Sequence, residues 1–158
     1  MTPIENIIVE RCTASGCSIA VAESCTGGLI AHRITNVSGA SAVFSGSVVA
    51  YANEVKMNLL GVPEEALTRC GAVSEPVALS MAEGVRNAMN TDFSAAVTGI
   101  AGPGGGNEEK PVGTVYIAVA GPSGTRAYLH HFTGNRSDIK TQTAETALSY
   151  LLELLEVS

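Results

Sequence analysis

Ser24 stands in a polar, glycine-closed turn, Ala22-Glu23-Ser24-Cys25-Thr26-Gly27-Gly28, between two apolar runs. Upstream, Ser18-Ile19-Ala20-Val21 reads as a short buried strand; downstream, Leu29-Ile30-Ala31-His32-Arg33-Ile34 reads as the opening of a helix. A strand-to-helix turn of this kind brings small hydroxyls and unpaired backbone N–H groups to the positive end of a helix dipole. Such a place binds an anion or exposes a nucleophilic hydroxyl, with Thr26, Gly27 and Gly28 as the candidate contacts around Ser24. The same residue types also suit plain helix capping by Ser24 or Thr26.

A serine hydroxyl is a weak nucleophile and needs a base. The three histidines are scattered and give no Ser–His–Asp set, and no Gly-x-Ser-x-Gly elbow is present. The more coherent partner is Lys56. In α/β sheets ligands gather beyond the carboxyl ends of the strands. Ser24 follows the first strand, Tyr51 and Lys56 follow the second, and Thr98 follows the third. Lysine acts as a base only where burial or a nearby cation lowers its pKa from about 10.4 towards neutrality.

A third turn, Gly99-Ile100-Ala101-Gly102-Pro103-Gly104-Gly105-Gly106, is not a nucleotide fingerprint. A P-loop needs Gly-Lys followed by Ser or Thr, whereas Lys110 lies between Glu109 and Pro111. Gly102, Gly104 and Asn107 do not supply Gly-x-Gly-x-x-Gly, and a strand follows the loop where a helix would be needed. What remains is a backbone that can approach a ligand closely, with Gly99, Gly102 and Gly104 as candidates, or a mobile loop. Ser137-Asp138-Ile139-Lys140 has the Ser-x-x-Lys spacing of penicillin-recognising enzymes but lacks their companion motifs, so it reads as an exposed helix start. His130 and His131 are neighbours on a strand and face opposite sides, so they hold no metal together.

The elements that must position these residues follow from periodicity. Thr2-Pro3-Ile4-Glu5 reads as a capping box that starts a helix running to about Ser15. A strand is expected over 43–51, followed by a helix capped by Asn53, carrying Lys56 and Leu60 and stopped by Gly61 and Pro63. A short helix covers 64–70; Ser74 caps the next, with Val77, Met81, Val85 and Met89 at helical spacing. Residues 94–98 form a buried strand. The segments 113–120 and 125–132 form a hairpin, and a closing helix runs over 136–155. The expected architecture is one domain over 1–158: a three-layer α/β/α sandwich on a mixed, mostly parallel sheet of five or six strands.

The chain has 158 residues, 46% of them hydrophobic, enough for one sizeable core. A net charge of -6 argues against nucleic acid or a membrane surface as a partner, and an anionic substrate would need a local cationic pocket. Cys12, Cys17, Cys25 and Cys70 form no Cys-x-x-Cys pair and read as reduced thiols, Cys25 as a packing residue. Glu5 stands where a targeting leader would be basic, and no apolar run reaches the ~18 residues of a membrane span. A cytoplasmic protein is expected, forming a homodimer or higher homo-oligomer.

Read together, the turn 22–28, Gly46-Ser47-Val48-Val49-Ala50-Tyr51-Ala52-Asn53 with Lys56, and Thr98-Gly99-Ile100-Ala101-Gly102-Pro103-Gly104-Gly105 resemble the CinA C-terminal domain family of nicotinamide-nucleotide amidases. Pro111-Val112-Gly113-Thr114-Val115-Tyr116 and Gly134-Asn135-Arg136 extend the resemblance over essentially the whole chain. It implies hydrolysis of nicotinamide mononucleotide to nicotinic acid mononucleotide and ammonia, a step of pyridine nucleotide recycling, without metal or other cofactor. It also implies a stand-alone form lacking the fused molybdopterin-binding-like domain of other members. A Ser/Lys dyad would correspond to Ser24 and Lys56, with Tyr51, Thr98 and Arg136 nearby. The family commonly carries a second arginine where this chain has Lys140, which puts a bidentate phosphate contact there in question.

On this reading Ser24 attacks the carboxamide carbon and neutral Lys56 takes its proton, later returning one to departing ammonia. Backbone N–H groups of the turn 24–28, helped by the Thr98 hydroxyl, stabilise the oxyanion. Arg136 and the backbone of loop 99–106 hold the phosphate, while Tyr51 orients the pyridinium or the dyad. A version in which Ser24 and Lys56 position an attacking water fits the same residues. The rival is a catalytically silent nucleotide- or partner-binding domain of the same fold, against which intact Ser24, Tyr51, Lys56 and Thr98 argue.

Overall fold

A computed structural model of the protein describes residues 1–158. In chain order the elements are α1 (Ile4–Ser15), β1 (Ile19–Glu23), α2 (Leu29–Thr35), β2 (Phe44–Val49), α3 (Asn53–Leu60), α4 (Glu64–Cys70), α5 (Glu75–Met89), β3 (Phe93–Gly99), β4 (Thr114–Gly121), β5 (Gly124–His131) and α6 (Arg136–Glu156). The five strands form one sheet in the order β2-β1-β3-β4-β5. Pairing is parallel across β2-β1-β3 and antiparallel across β3-β4-β5. The three parallel strands therefore end at the same edge and deliver their following turns side by side.

Side-chain alternation sorts the two faces by size. Ile19 and Val21 of β1, Val97 of β3 and Val115 and Ile117 of β4 join the core under α1, α2 and α6. Ala20, Ala22, Ala96, Ala118 and Ala120 point the other way, onto α3 and α5. An alanine-lined face lets α5 lie close to the sheet. The close packing extends to α3, where a Cβ on Gly84 would run into the Leu60 carbonyl. Arg33 of α2 ties the opposite layer together, pairing with Glu5 of α1 and Glu145 of α6, each at 2.7 Å.

Three helix starts differ from expectation. Thr2 makes no cap: Pro3 is the N-cap of α1 and no side chain bonds the first turn. Asn53 lies inside α3, whose N-cap is Ala52. Ser74 occupies the N-cap of α5, but its hydroxyl turns back to donate to the Gly71 carbonyl at 2.8 Å. For Ser74 a local side-chain cap competes with another acceptor, a choice that sequence alone does not decide. By contrast α6 begins with a complete capping box between Asn135 and Asp138.

Candidate active site

Lys56 sits in the second turn of α3, immediately after the end of β2, and only 1% of it is exposed. Its Nζ meets three oxygens: Ser24 Oγ at 3.0 Å, the Ala50 carbonyl at 2.7 Å and the Tyr51 carbonyl at 3.1 Å. As an ammonium it would donate to all three. As a neutral amine it has two hydrogens for the two carbonyls, and its lone pair then faces the Ser24 hydroxyl. Burial removes water from the charged form and lowers the pKa of Lys56 below the ordinary lysine value. Ala50 is itself held in place, since its N–H donates to the Glu23 carbonyl at 2.7 Å.

These groups line a cleft of about 270 Å³ that is walled by Ser24, Tyr51, Lys56, Thr98, Gly99, Gly102, Gly104 and Arg136, with Cys25, Ala72 and Val73 among the others. The volume falls near the lower end of the roughly 300–1,000 Å³ typical of small-ligand pockets. Arg136, the first residue of α6, reaches over it: Nη1 donates to the Gly102 carbonyl at 2.6 Å and Nη2 to the Tyr51 hydroxyl at 3.1 Å. The cleft thus carries a serine hydroxyl and a lysine amine at its floor and a guanidinium at its rim.

Free backbone donors are concentrated in two segments, the turn 24–28 and loop 99–106. The N–H groups of Ser24, Cys25, Thr26 and Gly28 donate to no protein acceptor, nor do those of Ala101, Gly102, Gly104 and Gly105. The positive end of α2 is, however, already taken. Glu23 is wholly buried, and its carboxylate accepts from Ile30 N at 2.9 Å and Ala31 N at 3.0 Å. The helix N-terminus that the sequence offers as an anion site therefore holds one of the protein's own carboxylates.

Four expected contacts differ from expectation. Thr26, Gly27 and Gly28 do not line the cleft. The Thr26 hydroxyl is committed to Glu23 at 2.6 Å, so its side chain is not available to a substrate. Gly28 is the N-cap of α2 at φ 106 and carries no capping side chain. Thr98 does line the cleft, but its hydroxyl donates to the Ala72 carbonyl at 2.9 Å and meets the cleft as an acceptor, not as an oxyanion donor.

Cys25 lines the cleft but is a poor nucleophile, because burial pushes its thiol up to about 12. Lys140 is placed one turn along α6 from Arg136, with its Nζ beside Gly27. His130 and His131 are remote from this centre: His130 Nε2 bonds the Tyr150 hydroxyl at 2.7 Å, and His131 lies 3.5 Å from the Thr114 hydroxyl. Sequence reasoning missed Glu23. The available signal was its alternation with Ile19 and Val21, which turns it into the core.

A family model described as the CinA C-terminal domain matches residues 1–155. A CinA-like protein of Geobacter sulfurreducens is 51% identical over 148 residues, which are 94% of this chain and 36% of that protein. One from Anaeromyxobacter dehalogenans is 50% identical with the same coverage, so the chain spans 36% of the length of either relative. Among solved structures, the competence/damage inducible protein CihA from Agrobacterium tumefaciens has a TM-score of 0.94 at 42% identity, over 96% of this chain and 93% of that one. A CinA superfamily protein from Klebsiella pneumoniae has a TM-score of 0.94 at 30% identity, over 98% and 97%. No helix is long and apolar enough to cross a membrane.

Proposed function

The chain belongs to the CinA C-terminal domain family, and on that premise we propose that it is an amidohydrolase converting nicotinamide mononucleotide to nicotinic acid mononucleotide and ammonia. The observation that carries this reading is the 3.0 Å contact between the buried Lys56 Nζ and Ser24 Oγ. A lysine with a lowered pKa, fixed by two carbonyls and facing a serine at the cleft floor, has the arrangement of an activated nucleophile.

Ser24 Oγ attacks the carboxamide carbon and its proton passes to Lys56 Nζ. The carbonyl oxygen becomes an oxyanion, for which Ser24 and Cys25, both lining the cleft, offer unpartnered N–H groups as fixed donors. Collapse breaks the C–N bond as Lys56 returns the proton to the leaving nitrogen, and ammonia departs. Water, deprotonated by Lys56, then opens the seryl ester and restores Ser24. The direct Ser24–Lys56 contact favours this covalent route over a positioned water.

The phosphate falls to the rim. With the end of α2 filled by Glu23, the anion-binding groups that line the cleft are Arg136 and the free N–H groups of loop 99–106. Tyr51, held by Arg136, presents an exposed ring beside the cleft for the pyridinium. The test is to incubate the protein with nicotinamide mononucleotide and quantify both products. Ammonia and nicotinic acid mononucleotide in equal amounts support the reading; neither above the protein-free control refutes it.

A further inference from the structure

Glu23 ends β1, the strand whose carboxyl edge carries Ser24, and it is 0% exposed. No lysine or arginine pairs with it. Its charge is held by hydrogen bonds alone: Oε1 accepts from Thr26 Oγ1 at 2.6 Å and Ile30 N at 2.9 Å, and Oε2 accepts from Ala31 N at 3.0 Å. Burying a carboxylate with no counter-ion is costly, and charge-assisted bonds at a helix N-terminus offset it. Gly28, the N-cap at φ 106, sits where a side chain would be strained, so the carboxylate that satisfies these N–H groups comes from the end of β1.

What the buried carboxylate adds is control of the turn. Its bonds reach seven and eight residues along the chain, so the segment carrying Ser24 is closed into a ring, and the Thr26 bond pins that ring in the middle. The main chain of the same residue acts on the base. The Glu23 carbonyl accepts from Ala50 N at 2.7 Å, and the Ala50 carbonyl in turn accepts from Lys56 Nζ at 2.7 Å. One residue thereby fixes both the turn of the nucleophile and the anchor of its base.

We infer that Glu23 is the positioning residue of this site: its carboxylate clamps the turn 24–28 so that Ser24 Oγ is held against Lys56 Nζ. It touches no substrate. Loss of the clamp lowers the rate of the chemical step and leaves binding at the rim intact. The kinetic part of this inference rests on the amidase reading; the clamp itself does not.

The test uses Glu23→Gln, which keeps the shape but sets an amide NH2 among three donors, and Thr26→Val, which removes one bond and keeps the charge. Alkylation by iodoacetamide is followed by peptide mass spectrometry at Cys25, inside the turn, and at Cys12, 0% exposed in the core of α1. Cys25 labelling is expected to rise about tenfold or more in Glu23→Gln and about threefold in Thr26→Val, with Cys12 unchanged. A rise in Thr26→Val comes from the loosened turn, since the Glu23 charge is still present. With nicotinamide mononucleotide, kcat of Glu23→Gln is expected to fall about tenfold or more with KM within about twofold, as for a misplaced reacting group. Labelling of Cys25 and Cys12 that rises together would make Glu23 a merely structural residue and overturn the inference. So would unchanged Cys25 labelling in both variants, or an unchanged kcat where the wild type releases ammonia. A wild type that releases no ammonia contradicts the amidase reading, and the labelling comparison then decides the clamp by itself.

Discussion

The guanidinium of Arg136 donates to the Tyr51 hydroxyl at 3.1 Å, joining residues 85 positions apart in the chain. The contact links the turn after β2 to the first residue of α6 and sets both side chains over the cleft that holds Ser24 and Lys56. A second bond, to the Gly102 carbonyl at 2.6 Å, fixes the glycine loop to the same group. The two bonds hold the guanidinium in place over the rim of the cleft.

Arg136→Ala is therefore expected to raise KM for nicotinamide mononucleotide by about tenfold or more, on the scale of a lost charge-assisted contact. Nicotinamide riboside, which has no phosphate, should be affected far less. Arg136→Lys should recover only part of the loss, because a lysine cannot present the same planar fork. Steady-state kinetics on both substrates make the check. Equal loss on the two would assign the phosphate to loop 99–106 instead.

The lowered pKa of Lys56 gives the reaction a defined pH dependence. On the proposed mechanism the dyad works with the amine neutral, so kcat/KM should climb with pH on a limb centred below 10.5. Stability follows the same proton. Between the folded pKa and 10.5 the unfolded chain binds a proton that the folded one has released, so stability rises with pH across that window. Lys56→Met should flatten both profiles. An ascending limb that survives in Lys56→Met would assign the titration to another group.

Cys25 lies beside Ser24 with its thiol pushed up to about 12, so it stays protonated at neutral pH. Cys25→Ser should keep activity within about fivefold of wild type, the effect of a small packing change. No group of three His, Cys, Asp or Glu side chains converges in the fold, so incubation with a strong chelator should leave ammonia release unchanged. Complete loss in a folded Cys25→Ser would reinstate the thiol as nucleophile.

Much of the scaffold is readable from sequence because it rests on local signals. The helix over 64–70 is bounded by Pro63 and Gly71, and the start of α2 at Leu29 follows the paired glycines 27 and 28. The pairing of Ser24 with Lys56 is readable too, since both follow strands that end at one sheet edge. Side-chain partners are a different matter. The hydroxyls of Thr26, Ser74 and Thr98 each have more than one acceptor within reach, and the winners are Glu23, Gly71 and Ala72. Those choices are settled by tertiary packing, which spacing along the chain does not encode. Glu23 was hidden for a related reason: a glutamate at a strand end ordinarily marks exposure, and only three converging donors make its burial affordable.

The most direct measurement is ammonia release from nicotinamide mononucleotide by the wild type beside Ser24→Ala and Lys56→Ala, each confirmed as folded by circular dichroism. A catalytic Ser24–Lys56 pair predicts release by the wild type and a loss of roughly a thousandfold or more in both variants, the scale that follows removal of a nucleophile or its base. Release near the wild-type rate from either folded variant would contradict it.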